Sequence, residues 1–123
     1  MSLSRVVLRL ARNPGTAFAA GDEHRGYAVT VPLTSAGRID EAIYGQNREA
    51  CTVRRFAPDQ PHADGRLARR GANWFFDYDA HASDDDEPIH RLGGHAFVVG
   101  EYLTVTDENR QPLTYRVAEV QPI

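Results

Sequence analysis

The chain has no lysine, one cysteine, one methionine and one tryptophan, and it has no long apolar run. All 14 basic residues are arginine, so a phosphate-binding loop that depends on lysine is excluded. The single cysteine, Cys51, excludes an intrachain disulfide and indicates a reducing compartment. No apolar stretch approaches the roughly 20 residues of a membrane helix, and the N-terminal residues lack a signal-peptide pattern. We therefore expect a soluble, cytoplasmic protein that does not enter a membrane.

The size and composition are those of an ordinary globular domain. The chain has 123 residues, of which 41% are hydrophobic and 25% are charged. Domains most often contain roughly 100–150 residues, so we predict a single β-rich domain over residues 1–123.

The charges are unevenly distributed along the chain. Residues 1–72 carry 11 arginines and 7 acidic residues, whereas residues 73–123 carry 3 arginines and 10 acidic residues. Arginines of the first half could pair with acids of the second half within one fold. Alternatively, the surface could have a basic face and an acidic face.

Alternating apolar and polar residues predict several short strands. The alternation is clearest over residues 27–33, where Tyr27, Val29, Val31 and Leu33 share one side. In residues 73–79, Trp74, Phe76 and Tyr78 share one face and Phe75, Asp77 and Asp79 share the other. The predicted strands are residues 5–12, 27–33, 51–56, 66–70, 73–79, 96–99, 102–106 and 113–120. Residues 21–26 and 80–94 are predicted to be loops.

Residues 39–50 are the one good helix candidate. Asp40 can cap the N-terminus, while Gly45 weakens the helix by about 1 kcal/mol relative to alanine. The predicted fold is therefore mainly β, an antiparallel small barrel or half-barrel of about seven short strands with one short helix near residues 40–50. An α+β roll with an open sheet is the alternative.

Acidic and histidine residues follow the aromatic strand. Asp77, Asp79 and His81 alternate in sequence, so an extended strand would project them from one face. His90 and His95 flank two glycines where the chain can bend. Carboxylates and imidazoles are typical ligands of divalent transition metals. The same residues could equally form a solvated loop.

From this pattern we derive the hypothesis of a metal-dependent hydrolase or lyase. Asp77, Asp79, His90 and His95 would be the ligands of a divalent transition metal. His81 would act as an acid–base group, and Arg91 would hold an anionic substrate group.

A second group of residues combines arginines with aromatic side chains. Arg54, Arg55, Arg69 and Arg70 lie near aromatic residues in the sequence, a combination that can bind single-stranded nucleic acid. The excess of acidic residues argues against a nucleic-acid partner, because much of the surface would repel phosphates.

Our first hypothesis is a non-catalytic binding or assembly module without a cofactor. Its partner would be another protein or a second copy of the chain. The contact region would include Phe75, Asp77, Asp79 and His81, which the alternation places on one face.

The chain also resembles a group of small uncharacterised bacterial single-domain proteins. The resemblance rests on residues 10–15 (LARNPG), 26–27 (GY), 32–33 (PL), the helix at Asp40, 53–56 (VRRF), 74–79 (WFFDYD) and 95–102 (HAFVVGEY). It implies a domain that stands alone, and it implies no activity, cofactor or partner.

Overall fold

Eight antiparallel strands form one closed barrel. The computed structural model describes residues 3–78, 86–89, 96–107 and 109–123. The strands are β1 (Leu3–Leu10), β2 (Asp22–Pro32), β3 (Thr52–Ala57), β4 (Gln60–Arg70), β5 (Asn73–Asp77), β6 (Glu87–Ile89), β7 (Tyr102–Thr106) and β8 (Pro112–Pro122). The predicted mainly β fold and small antiparallel barrel are confirmed.

Each strand pairs with its neighbours in sequence, and β1 pairs with β8 to close the barrel. The closing ladder extends from Ser4 opposite Pro122 to Leu10 opposite Tyr115. A closed ring leaves none of these strands as a free edge. Among the described residues, the shortest ladder is between β6 and β7, where Ile89 lies opposite Val105.

Inward-facing side chains fill the barrel. Val6, Leu8 and Leu10 of β1 are buried at alternate positions, and Leu113, Tyr115 and Val117 of β8 follow the same period. An eight-stranded barrel is just wide enough for side chains to occupy its interior. The core is aliphatic and aromatic, and it includes Tyr27, Val29, Val53, Leu67, Trp74, Phe76, Phe97, Leu103, Val105 and Val117.

One short helix, α1 (Glu41–Gln46), lies between β2 and β3. The side chain of Asp40 accepts a hydrogen bond of 3.2 Å from the backbone N–H of Ile43, so the predicted cap is confirmed. The helix is shorter than residues 39–50, because Asn47 leaves helical geometry and its Nδ2 donates back to the carbonyl of Ile43. A separate 3₁₀ turn follows at Arg48–Ala50. Within the described residues, no helix is long and apolar enough to cross a membrane.

The helix covers one end of the barrel. Its buried residue, Tyr44, packs edge-on against Trp74 with 4.8 Å between ring centroids. The Tyr44 hydroxyl donates a 3.0 Å hydrogen bond to the carbonyl of Leu67 in β4. Arg69 lies 5.3 Å from the Trp74 ring centroid and forms an ion pair with Glu41 of the helix. Packed aromatic rings therefore close this end of the barrel. The helix does not cover the opposite end, where a polar site can form.

Four sequence predictions of local structure were wrong. A strand was predicted at residues 66–70, but β4 already begins at Gln60. Residues 21–26 were predicted to be a loop, but β2 begins at Asp22. Gly26 is part of the ladder. Only glycine fits at this position, because a Cβ there would lie 1.8 Å from the carbonyl oxygen of Leu8. Residues 80–94 were predicted to be a loop, yet they contain β6. Residues 96–99 were predicted to be a strand, but they form a coil in which the N–H of Phe97 donates to the carbonyl of Gly37.

Candidate functional site

β6 carries a carboxylate into the barrel. Glu87 and Ile89 are buried while Pro88 between them is exposed, as strand alternation requires. Glu87 lies opposite Phe76 of β5 and is only 1% exposed. A carboxylate removed from water requires charged or hydrogen-bonding partners.

Two side chains from adjacent strands satisfy this requirement. The Tyr27 hydroxyl donates to Oε1 of Glu87 at 3.1 Å, and Nη1 of Arg55 donates to Oε2 at 3.0 Å. Tyr27 and Arg55 are directly opposite each other in the β2–β3 ladder. The carboxylate is therefore held at both oxygens.

Two more tyrosines complete the cluster. The guanidinium of Arg55 lies 4.8 Å from the ring centroid of Tyr78. The Tyr78 hydroxyl is buried near Glu87 and forms no hydrogen bond of normal geometry with any described group. The ring of Tyr115 packs against Tyr27 at 5.0 Å. Three phenols therefore surround one buried ion pair.

Burial dominates the electrostatics of this cluster. It raises the pKa of Glu87, although Tyr78, Arg55 and Tyr27 act in the opposite direction. Burial also raises the pKa of Tyr115 to about 12 and raises the pKa values of Tyr27 and Tyr78. At neutral pH the phenols therefore remain protonated and can donate hydrogen bonds.

A cavity of about 170 Å³ opens beside the cluster at the end of the barrel opposite α1. At roughly 30 Å³ per molecule, it has room for about six waters. We call this cavity the mouth pocket. Its lining residues are Phe18, Arg25, Tyr27, Arg55, Gln60, Glu87, Asp107, Asn109, Gln111, Leu113 and Tyr115.

Arg25 is fixed at the rim of the mouth pocket by three contacts. One of its terminal nitrogens lies 2.7 Å from Asp59, its Nε lies 3.4 Å from Asp22, and its guanidinium stacks 4.8 Å from the Phe18 ring centroid. The rim cation is therefore already neutralised by acidic neighbours.

Asn13 fastens the segment that carries Phe18. Its Nδ2 donates to the carbonyls of Ala11 and Thr114 at 2.8 and 3.1 Å, and its Oδ1 accepts from the N–H of Thr114 at 2.8 Å. Asn13 is 7% exposed, so these bonds are shielded from water. One side of the rim is thereby tied to β8.

The lining of the mouth pocket suits hydrogen bonding more than charge recognition. It contains two arginines and two carboxylates, whose formal charges cancel. Its three carboxamide side chains can each donate and accept hydrogen bonds. The described lining contains no serine, cysteine or histidine that could act as a nucleophile. The arrangement can hold a small polar molecule.

The structure separates the four arginines that the sequence grouped together. Arg55 points into the barrel toward Glu87, whereas Arg54 lies outside in an exposed ion pair with Asp64. Arg69 lies over Trp74 at the helix end. Arg70 is outside, with its guanidinium 4.3 Å from the ring centroid of Phe75. These four side chains do not form one surface.

Phe75 and Asp77 are on the outer face of β5, as alternation predicted. Phe75 is only 6% exposed, because Arg70 covers it. Arg70 also forms an ion pair of 3.0 Å with Asp86. Burial and the neighbouring charge of Asp77 raise the pKa of Asp86. The described part of the predicted contact face is thus covered by an ion pair.

Most of the proposed metal site lies outside the described residues. Asp79, His81, His90, Arg91 and His95 all belong to the undescribed ranges. Within residues 3–78, 86–89, 96–107 and 109–123, no three acidic, histidine or cysteine residues lie close enough together to hold a metal ion. The metal hypothesis therefore stays a prediction.

Of the residues that build the mouth pocket, the sequence analysis named only Arg55 as a candidate binding residue, and it placed Arg55 on a nucleic-acid surface. Glu87 falls in the loop predicted over residues 80–94, although Glu87 and Ile89 lie on the same face of β6. Tyr27 was assigned to the core face of its strand, and Arg55 lies two residues after the inward-facing Val53. The period of two could also have placed Arg55 on the inner face. It could not have shown that Glu87 contacts these two residues, because Glu87 follows Tyr27 by 60 positions and Arg55 by 32 positions in the sequence.

No protein-family model, no curated protein and no solved structure matches this chain.

Proposed function

We propose that this protein is a non-catalytic binding module whose mouth pocket holds a small polar molecule with no net charge. The observation that carries the proposal is the buried Glu87–Arg55 ion pair at the base of a cavity, in a barrel that is otherwise filled by apolar side chains.

The energetic argument begins with the cost of burying this ion pair. Two charges lose hydration when they enter a protein interior, and replacing such a pair by apolar residues is often neutral or stabilising. The barrel would thus gain little stability from Glu87 and Arg55 relative to an apolar pair. Their position on the wall of a cavity supports a role in binding.

The charges on the wall favour a neutral ligand. Arg55 is paired with Glu87, and Arg25 is paired with Asp59 and Asp22. A charged ligand would have to compete with these existing partners and lose its own hydration. A molecule rich in hydroxyl or amide groups can instead use the carboxamides and phenols, which both donate and accept.

The same groups support binding without catalysis. Both oxygens of Glu87 accept hydrogen bonds, and the pKa values of the neighbouring phenols are raised. A general base should be free to receive a proton near neutral pH. Glu87 is committed to its partners, and the phenols are not available as bases.

The proposal is tested by titrating ¹⁵N-labelled protein with three uncharged probes, glycerol, D-glucose and acetamide, and with acetate and methylammonium as charged probes. We expect saturable shifts of amides around Gln60, Gln111 and Tyr115 with at least one uncharged probe. The variant Gln111→Leu should weaken this binding severalfold, because it removes both a donor and an acceptor.

The matched control is Gln46→Leu on the exposed surface of α1, at the opposite end of the barrel. It should leave the titration unchanged. The absence of saturable shifts at the mouth pocket with all five probes would refute a binding role for this cavity.

We also propose the cytoplasm as the location of the protein. Cys51 is a free thiol and is fully buried in the core. A free thiol is typical of a reducing compartment.

A further inference from the structure

Two arginines face each other on the outside of the barrel. Arg9 of β1 and Arg116 of β8 are direct partners in the closing ladder. Their neighbours Leu8 and Val117 are buried in the core, so both arginines point outward. Like charges directly opposite each other on adjacent strands destabilise a sheet unless an opposite charge lies nearby.

The acidic residues nearby compensate only one of these charges. Arg9 lies 3.5 Å from a carboxylate oxygen of Glu119 and donates to the carbonyl of Glu23 at 2.7 Å. Arg116 is partly buried and forms no hydrogen bond or ion pair with any described side chain. Arg12, which is exposed, forms none with the described residues either. The outer face therefore carries positive charge that the described protein does not neutralise.

An exposed aromatic ring lies beside this charge. Tyr102 of β7 is the direct partner of Arg116 on the side away from Arg9. Its neighbour Leu103 faces the core, so Tyr102 points outward, and it is 53% exposed. The three side chains form a row across three adjacent strands, with the ring at one end.

These residues line a groove of about 710 Å³. Arg9, Arg12, Arg116 and Tyr102 all contribute to it. Of the two acidic residues in the wall, Asp22 is already engaged by Arg25 and by the N–H of His24. Because Arg9 is paired with Glu119, Glu23 remains as a single carboxylate against the guanidinium groups of Arg12 and Arg116.

We propose that this groove binds a nucleoside phosphate. Guanidinium groups form paired hydrogen bonds with phosphate oxygens, and the fixed fork of arginine suits that geometry. An exposed tyrosine ring offers a stacking surface for a base. The phosphate would lie between Arg116 and Arg12 and supply the missing negative charge, and the base would lie against Tyr102. The groove is separate from the mouth pocket, so this proposal does not depend on the proposed function.

The test is a calorimetric titration at about 20 mM salt with adenosine 5′-monophosphate, adenosine, ribose 5-phosphate and inorganic phosphate. We expect saturable binding of the nucleotide, with adenosine and ribose 5-phosphate each binding at least fivefold more weakly. Binding of the nucleotide should weaken at about 200 mM salt, because exposed charges are then screened.

Three variants assign the contacts. Arg116→Gln should weaken nucleotide binding about tenfold, since a hydrogen bond to a charged group contributes on that order. Tyr102→Leu should weaken binding of the nucleotide but not of ribose 5-phosphate. The control is Arg5→Gln, an exposed arginine on the same strand and face, about 13 Å from Arg9 along the strand. It removes the same charge and should leave the affinity within twofold.

Three outcomes would overturn the proposal. One is no saturable binding of the nucleotide up to about 10 mM. Another is equal binding of inorganic phosphate and nucleotide, which would mean that the ring plays no part. The third is a single-stranded oligothymidylate that binds far more tightly per site than the nucleotide, which would identify the groove as a nucleic-acid surface. A folded amide spectrum for each variant ensures that lost affinity is not lost structure.

Discussion

Arg54 and Arg55 are consecutive in the sequence, but strand alternation places them in different environments. Arg54 pairs with Asp64 in water, where the two side chains are 55% and 64% exposed. Arg55 pairs with Glu87, whose side chain is 1% exposed. Exposed ion pairs contribute about 0–1 kcal/mol, whereas leaving a buried charge without its partner costs about 3–5 kcal/mol. Identical side chains should thus contribute very differently to stability.

We predict that Arg55→Met lowers the free energy of unfolding by about 3 kcal/mol, near the low end of that range because Arg55 is partly exposed. The matched variant Arg54→Met should lower it much less, because water screens the exposed pair of Arg54 with Asp64. Urea denaturation at pH 7 measures both. Equal losses would mean that the Glu87 carboxylate is not confined as the structure indicates.

A second prediction for a single residue follows from the raised pKa of the Glu87 carboxyl group. A carboxyl group whose pKa is higher in the folded state binds its proton more tightly there. Its contribution to stability is complete below the unfolded pKa of about 4.3 and is lost as the pH rises through the folded pKa. The difference in unfolding free energy between wild type and Glu87→Gln should therefore fall as the pH rises above about 4.3.

Asp64 supplies a comparison of opposite sign. Its hydrogen bond with Arg54 lowers the pKa of its carboxyl group. Its contribution is present above the unfolded pKa and is lost on acidification. The difference between wild type and Asp64→Asn should therefore shrink as the pH falls. Denaturation curves from about pH 2 to about pH 8 test both slopes, because the Asp64 contribution is lost only below its unfolded pKa of about 3.9. Parallel slopes for the two variants would contradict the assignment.

At the scale of elements, the sequence predicts the strand segments in which apolar and polar residues alternate, and it misses the polar first halves of β2 and β4. In β1, β2, β7 and β8 the apolar residues alternate over five or more positions, and that alternation gives both strand and face. β6 has three residues, one of which is proline. Its apolar alternation is therefore too short to be recognised within the acidic segment around it. Phe97 is buried and lies in a coil whose backbone hydrogen-bonds to the turn at Gly37. This is a tertiary contact, so no local sequence pattern predicts it.

The helix is also an element whose local signal is weak and whose tertiary contacts are specific. Six residues are too few for a stable isolated helix, so packing must supply most of its stability. Asp40 marks its start correctly, because a capping carboxylate acts locally. The position of Tyr44 over Trp74 depends on two strands that come later in the chain.

We predict that Tyr44→Phe lowers the free energy of unfolding by about 1 kcal/mol, since it removes the hydrogen bond to the carbonyl of Leu67 in a buried site. The same change at exposed Tyr102 should have an effect below about 0.5 kcal/mol. Chemical denaturation of both variants measures the difference. Indistinguishable effects would show that the hydroxyl does not anchor the helix.

At the scale of the whole molecule, ion pairs join the two oppositely charged parts of the chain. Arg9 pairs with Glu119, Arg55 with Glu87, and Arg70 with Asp86. Other pairs, such as Arg54 with Asp64, lie within the first part. The uneven charge seen in the sequence is thus partly resolved by pairing across the barrel. The unneutralised arginines on the outer face could not be found from composition, because they depend on which strands become neighbours.

Closure of the barrel also predicts where it opens first. Within the part of the chain that the structure describes, the β1–β8 ladder pairs over seven residues of β1, whereas β6 and β7 share one register pair. Local opening should therefore require less free energy at the β6–β7 junction. We predict that described amides in β6 and β7 exchange with deuterium faster than those of Val6 and Leu8. Uniform protection around the ring would contradict this prediction.

The single cysteine of the chain can report on opening of the barrel. Cys51 has no exposed surface, and burial raises the pKa of its thiol. Thiol reagents attack the thiolate, so they should react with the buried Cys51 only when the barrel opens transiently. The rate of that reaction would then measure how often the barrel opens in native buffer. A second sulfhydryl placed on the surface by mutation could meanwhile accept a fluorophore on its own, since the native one is out of reach.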